Sequence, residues 1–107
     1  MQDDATLEQT LGTDRSLLLV DDDKPFLTRL ARAMEARGFV VETAESVEEA
    51  VAKAKELSPA YAVVDMRLGD GNGLDVVAAI RENRADARTI ILTGYGNIAT
   101  AVTAVKL

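Results

Sequence analysis

Short, almost continuously apolar runs alternate along the chain with longer segments in which apolar residues recur every three or four positions. The apolar runs cover residues 17–20, 39–41, 61–64 and 89–92. Runs of this length are typical of strands buried on both faces, as in parallel sheets. The segments with helical spacing lie at residues 27–34, 47–54, 74–77 and 98–105. The alternation predicts an α/β domain in which a doubly wound parallel sheet carries helices on both faces.

Residues that start or end helices stand at the boundaries of these segments. Pro25 suits a first helical turn, Gly38 a helix C-terminus, Ser46 with Glu49 a capping box, and Asn97 the start of the last helix. Ligands of doubly wound sheets bind beyond the carboxyl ends of the strands, where the strand order reverses. We therefore expect functional side chains at that edge.

The composition excludes several classes of site. The 107 residues suit one domain, since domains usually have roughly 100–150 residues. The chain contains neither Cys nor His, which excludes disulfides, thiolate or imidazole metal sites, histidine-activated nucleophiles and a phosphohistidine of its own. The net charge of −6 argues against direct binding to nucleic acid or an anionic membrane. No apolar run approaches the roughly 18 residues of a membrane span.

Three aspartates follow strands of the predicted sheet. Asp21 and Asp22 come directly after the first apolar run, and Asp65 follows the third. If these two strands are neighbours, the three carboxylates share one basin, where at ~4 Å and an effective dielectric near 20 each pair costs about 4 kcal/mol. The cluster should hold raised pKa values or a cation, and Mg²⁺ suits an all-carboxylate set. Asp23 is interpreted as a helix cap instead.

Carboxylates without a histidine can still take part in phosphoryl transfer. An aspartate can attack phosphorus directly and become an acyl phosphate. The transition state is mainly spread negative charge, so countercharge from Mg²⁺ matters more than a proton shuttle. Thr93 ends the fourth apolar run and could hydrogen-bond a phosphoryl oxygen, although β-propensity explains this threonine equally well. Gly71 and Gly73 place a turn after Asp65, which allows the backbone to approach the site.

Three segments, LLLVDDD, AVVDMRLGDGNGLD and IILTGYGN, occur in this order across residues 16–107. Together they resemble the receiver domain of two-component response regulators. The stretches DMRLGDGNGL and LTGYGNIATAVTAVKL are most similar to the RegA/PrrA/ActR regulators of redox and photosynthetic gene expression. The resemblance implies a flavodoxin-like or CheY-like sheet of strand order 2-1-3-4-5. It also implies a cytoplasmic signalling domain that is no enzyme and assists only its own phosphorylation and dephosphorylation.

The resemblance implies a role for each residue of the cluster. Asp65 would be the phosphoacceptor and would take its phosphoryl group from a sensor histidine kinase. Asp22 and the Asp65 carboxylate would bind Mg²⁺ directly, with the backbone carbonyl of Arg67 as a third protein ligand. Asp21 would hold a metal-bound water.

The resemblance also implies a conformational switch. Thr93 would be the switch hydroxyl, which moves toward the phosphoryl group together with residues 93–97. Tyr95 and the helix from Ile98 would report the change at the surface and alter contacts with a partner or a second copy. Through these contacts the domain would control transcription by a DNA-binding output domain.

Some features depart from the family pattern. Gly69 stands where many receivers have proline, so we expect a more flexible or differently bent loop. The chain ends within what looks like the fourth helix, so we expect it to lack the fifth strand with the family lysine, the fifth helix and the output domain. The fourth strand would then be an open edge, which favours self-association or a homodimer. Residues 1–15, with four acidic side chains and one arginine, are expected to be a mobile acidic tail before a receiver domain at residues 16–107.

Other functions remain open from the residues. The main alternative is a pseudo-receiver that acts as a protein-interaction module without phosphorylation, which the complete carboxylate set and Thr93 disfavour. An aspartyl phosphatase needs a second aspartate two residues after its nucleophile, where this chain has Arg67. A flavin or nucleotide site needs a glycine-rich loop, whereas residues 20–25 are VDDDKP.

Overall fold

Strands and helices alternate along the chain, as the apolar pattern predicts. The computed structural model describes residues 13–93 and the backbone of residues 101–105. The strands are β1 Ser16–Val20, β2 Val40–Ala44, β3 Tyr61–Asp65, β4 Arg67–Leu68, β5 Gly71–Asn72, β6 Arg88–Thr93 and β7 Ala101–Val105. The helices are α1 Lys24–Ala36, α2 Val47–Leu57 and α3 Gly73–Asn83. Within the described part of the chain, no helix has the length and apolar character needed to cross a membrane.

The main sheet has the strand order β2-β1-β3-β6-β7. Its first four strands are parallel: β1 pairs with β2 and β3, and β6 pairs with β3. This arrangement confirms the CheY-like fold and the 2-1-3-4 part of the expected order. The order reverses between β1 and β3, so the carboxyl ends of these two strands flank the crevice in which ligands of such sheets bind.

The segment after β6 differs from the sequence prediction. The spacing at residues 98–105 predicts a helix, but Ala101–Val105 forms β7, which runs antiparallel to β6. The helical prediction is therefore wrong for this segment, and β6 has strand partners on both sides instead of an open edge. Three of the five residues of β7 are β-branched, and an unpaired strand edge offers a full row of N–H and C=O groups. Strand pairing can therefore outweigh an apolar spacing that also suits a helix.

Helices cover both faces of the sheet and create two cores. Helices α2 and α3 share one face, where the larger core includes the fully buried Leu18 and Ile80. Helix α1 covers the other face, where Leu17, Leu19 and Leu27 form the smaller core. Successive side chains of β1 point into opposite cores, because strand side chains alternate between faces. This two-sided burial explains why the first apolar run has no polar positions.

Capping residues mark the ends of the helices where the sequence predicts, Asp23 and Ser46 at the start of a helix and Gly38 after one. Asp23 caps α1, since its Oδ1 accepts the N–H of Phe26 at 3.1 Å. The Ser46 Oγ caps α2 by accepting the N–H of Glu49 at 3.1 Å. Gly38 follows α1 with a φ of 95°, the left-handed conformation that glycine adopts without strain. Because Asp23 is the cap, α1 starts at Lys24 and leaves Asp21 and Asp22 in the loop that follows β1.

The segment in front of β1 is attached to the domain at Asp14. Its Oδ2 lies 2.6 Å from Nη1 of Arg84, and its Oδ1 accepts the N–H of Ser16 at 3.0 Å. Residues 1–12 of the expected acidic tail lie outside the described residues.

Candidate metal centre

Asp21 and Asp65 lie at matching levels of two paired strands. Strands β1 and β3 pair in the register Val20↔Val64, and the residue that follows each of these valines in the chain is an aspartate. Asp22 follows in the loop after β1. One carboxylate oxygen from each of the three aspartates lies within 4.8 Å of the others. The structure thus brings together the side chains that the sequence assigns to one basin.

Burial and repulsion from neighbouring carboxylates disfavour the charged forms of Asp21 and Asp65. Burial, followed by the charges of Asp65 and Asp22, raises the pKa of Asp21 above its ordinary value. Burial, followed by the charge of Asp22, likewise raises the pKa of Asp65. Hydrogen bonds from backbone N–H groups partly oppose both shifts, from Asp23 to Asp21 and from Arg67 to Asp65. A cation among the oxygens would remove the repulsion, so the site is electrostatically prepared for one.

Backbone contacts hold Asp21 above the sheet. The Asp21 N–H donates to the carbonyl of Ala44 at the end of β2, at 3.1 Å. The Asp21 Oδ1 accepts the N–H of Asp23 at 2.8 Å, which closes a tight turn. Hydrogen bonds therefore hold both the backbone N–H and the carboxylate of Asp21 in place without a ligand. Asp22 is exposed and Asp65 is half-buried.

The donor set suits a hard divalent cation. It consists of carboxylate oxygens from three residues, and Mg²⁺ is usually held by one or two protein carboxylates together with waters and a phosphate. The exposure of Asp22 leaves an open side for water or a phosphoryl group. The residues present therefore fit Mg²⁺, with Asp21, Asp22 and Asp65 as the side chains that would hold it.

A short hairpin follows Asp65 and carries Arg67. Strands β4 and β5 pair antiparallel in the registers Arg67↔Asn72 and Leu68↔Gly71. The backbone N–H of Arg67 donates to the Asp65 carboxylate. The glycines of this segment predict a turn here but not a hairpin. A two-residue Gly-Asp connection between short segments is the signal that indicates one.

Close packing beneath Asp65 requires glycine at position 73. A Cβ on Gly73 would lie 2.4 Å from the carbonyl oxygen of Asp65 and 2.9 Å from Cγ1 of Val64. The Gly73 N–H also donates to the carbonyl of Met66 at 2.7 Å. The start of α3 therefore lies directly against the backbone of the candidate phosphoacceptor.

Thr93 lies at the same edge of the sheet as the carboxylates. Strands β3 and β6 pair in the register Asp65↔Leu92, so Thr93 is one residue beyond the partner of Asp65. Its side chain is half-buried. The other two residues assigned to the switch, Tyr95 and Ile98, lie outside the described residues.

Comparisons with known proteins agree with this geometry. The family model described as response regulator receiver domain matches residues 17–107. The chain is 70% identical over 97 residues to the acid tolerance regulatory protein ActR of Sinorhizobium medicae, covering 91% of this chain and 50% of that protein. It is 66% identical over 107 residues to the photosynthetic apparatus regulatory protein RegA of Cereibacter sphaeroides, covering 100% of this chain and 57% of that protein. The chain thus spans about half the length of the curated relatives it matches.

A solved structure extends the likeness to three dimensions. A response regulator protein from Burkholderia pseudomallei, with a phosphorylated aspartic acid, a calcium ion and citrate, superimposes with a TM-score of 0.73 at 36% identity. The match covers 79% of this chain and 50% of that one. Sequence motifs, sheet order and family model all lead to the same assignment. The chain belongs to the receiver domain family of response regulators, with RegA and ActR regulators among its relatives.

Proposed function

We propose that the chain is a phosphoacceptor that receives a phosphoryl group on Asp65 from the phosphohistidine of a sensor kinase. The observation that carries this proposal is the convergence of the Asp21, Asp22 and Asp65 carboxylates within 4.8 Å at the carboxyl edge of a receiver fold. An Asp65 oxygen would form the bond to phosphorus while the phosphorus–nitrogen bond breaks and the kinase imidazole leaves. The phosphorylated aspartate in the related response regulator supports this assignment.

The residues around Asp65 would have different roles in the phosphoryl transfer. Asp22 and Asp65 would bind Mg²⁺ directly, together with the backbone carbonyl of Arg67, and Asp21 would hold a metal-bound water. The bound ion would supply countercharge for the phosphoryl oxygens. The Arg67 N–H, which donates to the Asp65 carboxylate, would orient it for attack. The calcium ion in the related response regulator supports a divalent cation in this family.

The proposal includes a switch and an output. Thr93 would donate its hydroxyl to a phosphoryl oxygen and shift the segment that follows, with Tyr95 and Ile98 carrying the change to the surface. The altered surface would favour a homodimer. The signal would then act through a DNA-binding region outside this chain, since the curated relatives are regulatory proteins about twice as long. We place this signalling function in the cytoplasm.

Intact mass measurement tests the proposal. The protein is incubated with Mg²⁺ and acetyl phosphate, beside the variants Asp65→Asn and Asp75→Asn. We expect one phosphoryl adduct on the wild type and on Asp75→Asn, whose exposed carboxylate lies on α3, and none on Asp65→Asn. Absence of an adduct on the wild type would instead support a protein-interaction module without phosphorylation. Multiple turnover of an unrelated phosphate ester would support a phosphatase.

A further inference from the structure

The carboxylate of Asp70 caps a helix that lies far earlier in the chain. One of its oxygens accepts the N–H of Val47 at 2.8 Å, and the other accepts the N–H of Glu48 at 3.1 Å. The helix's own cap, Ser46, accepts the next N–H, that of Glu49, at 3.1 Å. Two of the first three N–H groups of α2 are therefore bound by a residue from another segment. These hydrogen bonds lower the pKa of Asp70, which keeps the carboxylate charged beside the positive end of the helix dipole.

Asp70 lies at the tip of the hairpin that follows Asp65. Gly69 and Asp70 connect β4 to β5, and the ladder has only the two residue pairs Arg67↔Asn72 and Leu68↔Gly71. The Arg67 end of this ladder donates its N–H to the Asp65 carboxylate. In so short a hairpin, the position of the tip determines the position of the strand that contacts Asp65.

Packing contacts hold Leu68 and Gly71 of the hairpin but not Gly69 at its tip, among the residues that the structure describes. Leu68 is buried in the larger core and anchors one side of β4. A Cβ on Gly71 would lie 3.1 Å from Cγ2 of Val47, so the hairpin rests against the first residue of α2. A Cβ on Gly69, by contrast, would have no atom within 4 Å, among the residues the structure describes. The two hydrogen bonds of Asp70 therefore attach the tip to the body of the domain, beside a Gly69 that packs against none of the described residues.

We propose that Asp70 is a positioning residue for the Asp65 site: it ties the hairpin to the N-terminus of α2 and thereby fixes the Arg67 backbone against the Asp65 carboxylate. This inference rests on the proposed function, since it assigns Asp70 to the same metal and phosphoryl site. Outer-shell partners of metal ligands typically change metal affinity by roughly 10–100-fold when they are removed. We expect Asp70, which acts through a backbone segment, to contribute at the lower end of that range.

The test compares Asp70→Ala and Asp70→Asn with Ser46→Ala. Ser46→Ala removes a capping bond from the same helix N-terminus without touching the hairpin, so it reproduces the loss of helix stability alone. Two measurements need no phosphorylation: hydrogen exchange of the Arg67 amide in metal-free protein, and the Mg²⁺ affinity from an NMR titration. Asp70→Asn keeps one acceptor oxygen and serves as the milder variant if Asp70→Ala does not fold.

The expected result is a selective effect of Asp70. Asp70→Ala should weaken Mg²⁺ binding about 10-fold and speed exchange at Arg67, Asp70→Asn should lie between it and the wild type, and Ser46→Ala should match the wild type in both. Equal losses in Ser46→Ala and Asp70→Ala, or no loss in either Asp70 variant, would overturn the inference. A wild type that binds Mg²⁺ but never forms the Asp65 adduct would refute the proposed function while leaving these two measurements to decide the role of Asp70.

Discussion

The Arg84 guanidinium binds the carboxylate of Asp14 at 2.6 Å and joins three segments that meet at the amino ends of the parallel strands. The same Nη1 donates to the carbonyl of Ser58, after α2, at 3.2 Å, and Arg84 itself follows α3. The hydrogen bond from Arg84, with further bonds from Ser16, lowers the pKa of Asp14 from 3.8 to about 2. This contact ties the segment before β1 to the ends of two helices at the edge opposite the carboxylate cluster.

The Asp14–Arg84 contact should make stability depend on pH. The folded-state pKa of Asp14 is lowered, so its contribution is complete above 3.8 and disappears as the pH falls toward 2. The Asp14 side chain is half exposed, so solvent screening limits the contribution to about 1 kcal/mol at most. Urea unfolding of Asp14→Asn should show a loss at pH 7 that shrinks below pH 4. A smaller loss is expected for Asp86→Asn, whose side chain is 83% exposed beside the same arginine. A loss in Asp14→Asn that stays constant down to pH 2 would contradict this account.

Gly73→Ala should damage both the fold and the metal site. The added Cβ would lie 2.4 Å from the Asp65 carbonyl oxygen, so the backbone of β3 or α3 must shift. Overpacking of this kind typically costs about 1–3 kcal/mol of unfolding free energy, and the shift of Asp65 should also weaken Mg²⁺ binding. Gly69→Ala is the matched control, since its Cβ would have no atom of the described residues within 4 Å and should change the free energy by less than about 0.5 kcal/mol. Equal stability of the two variants in urea unfolding would argue against the close contact.

Asp21→Asn should weaken metal binding but stabilise the metal-free protein. Burial raises the pKa of Asp21, so the ionised side chain destabilises the folded state at neutral pH. This penalty decreases as the pH falls through the raised pKa and is absent below the ordinary pKa of 3.8. The neutral amide should therefore raise the unfolding free energy at pH 7 in EDTA. It should also weaken Mg²⁺ binding, because one carboxylate of the set is lost. Reduced stability in EDTA would show that the cluster is not under electrostatic strain.

Two isoleucines allow a matched test of the core. Ile80 on α3 is fully buried in the larger core, whereas Ile90 on β6 is 37% exposed. Ile80→Ala should cost about 2–5 kcal/mol, because it removes buried atoms and leaves a cavity. Ile90→Ala should cost clearly less, since part of its side chain is already in water. Urea unfolding of the two variants measures the difference, and similar losses would indicate that α3 packs less tightly than the structure shows.

Local sequence patterns predict most elements of the fold, but neither the β4–β5 hairpin nor the last strand. Residues 17–20 and 61–64 are apolar at every position, which few arrangements other than a doubly buried strand explain, and both lie within strands. Asp23 and Ser46 act on N–H groups three residues ahead, so their capping roles are also local. For residues 101–105, the apolar spacing suits a helix and the β-branched residues suit a strand. The free edge of β6 favours the strand, and that edge exists only after the sheet has formed.

The amino-acid sequence by itself determined the alternation of strands and helices, and it placed Asp21, Asp22 and Asp65 at strand ends, because hydrophobic periodicity and capping act over a few residues. The tertiary structure decided which of these ends are neighbours. Only the pairing of β1 with β3 brings the carboxylates within 4.8 Å, and only the folded hairpin brings Asp70 to the N-terminus of α2. Hydrogen bonds between residues more than twenty positions apart depend on the distance that folding creates, and no local pattern encodes that distance.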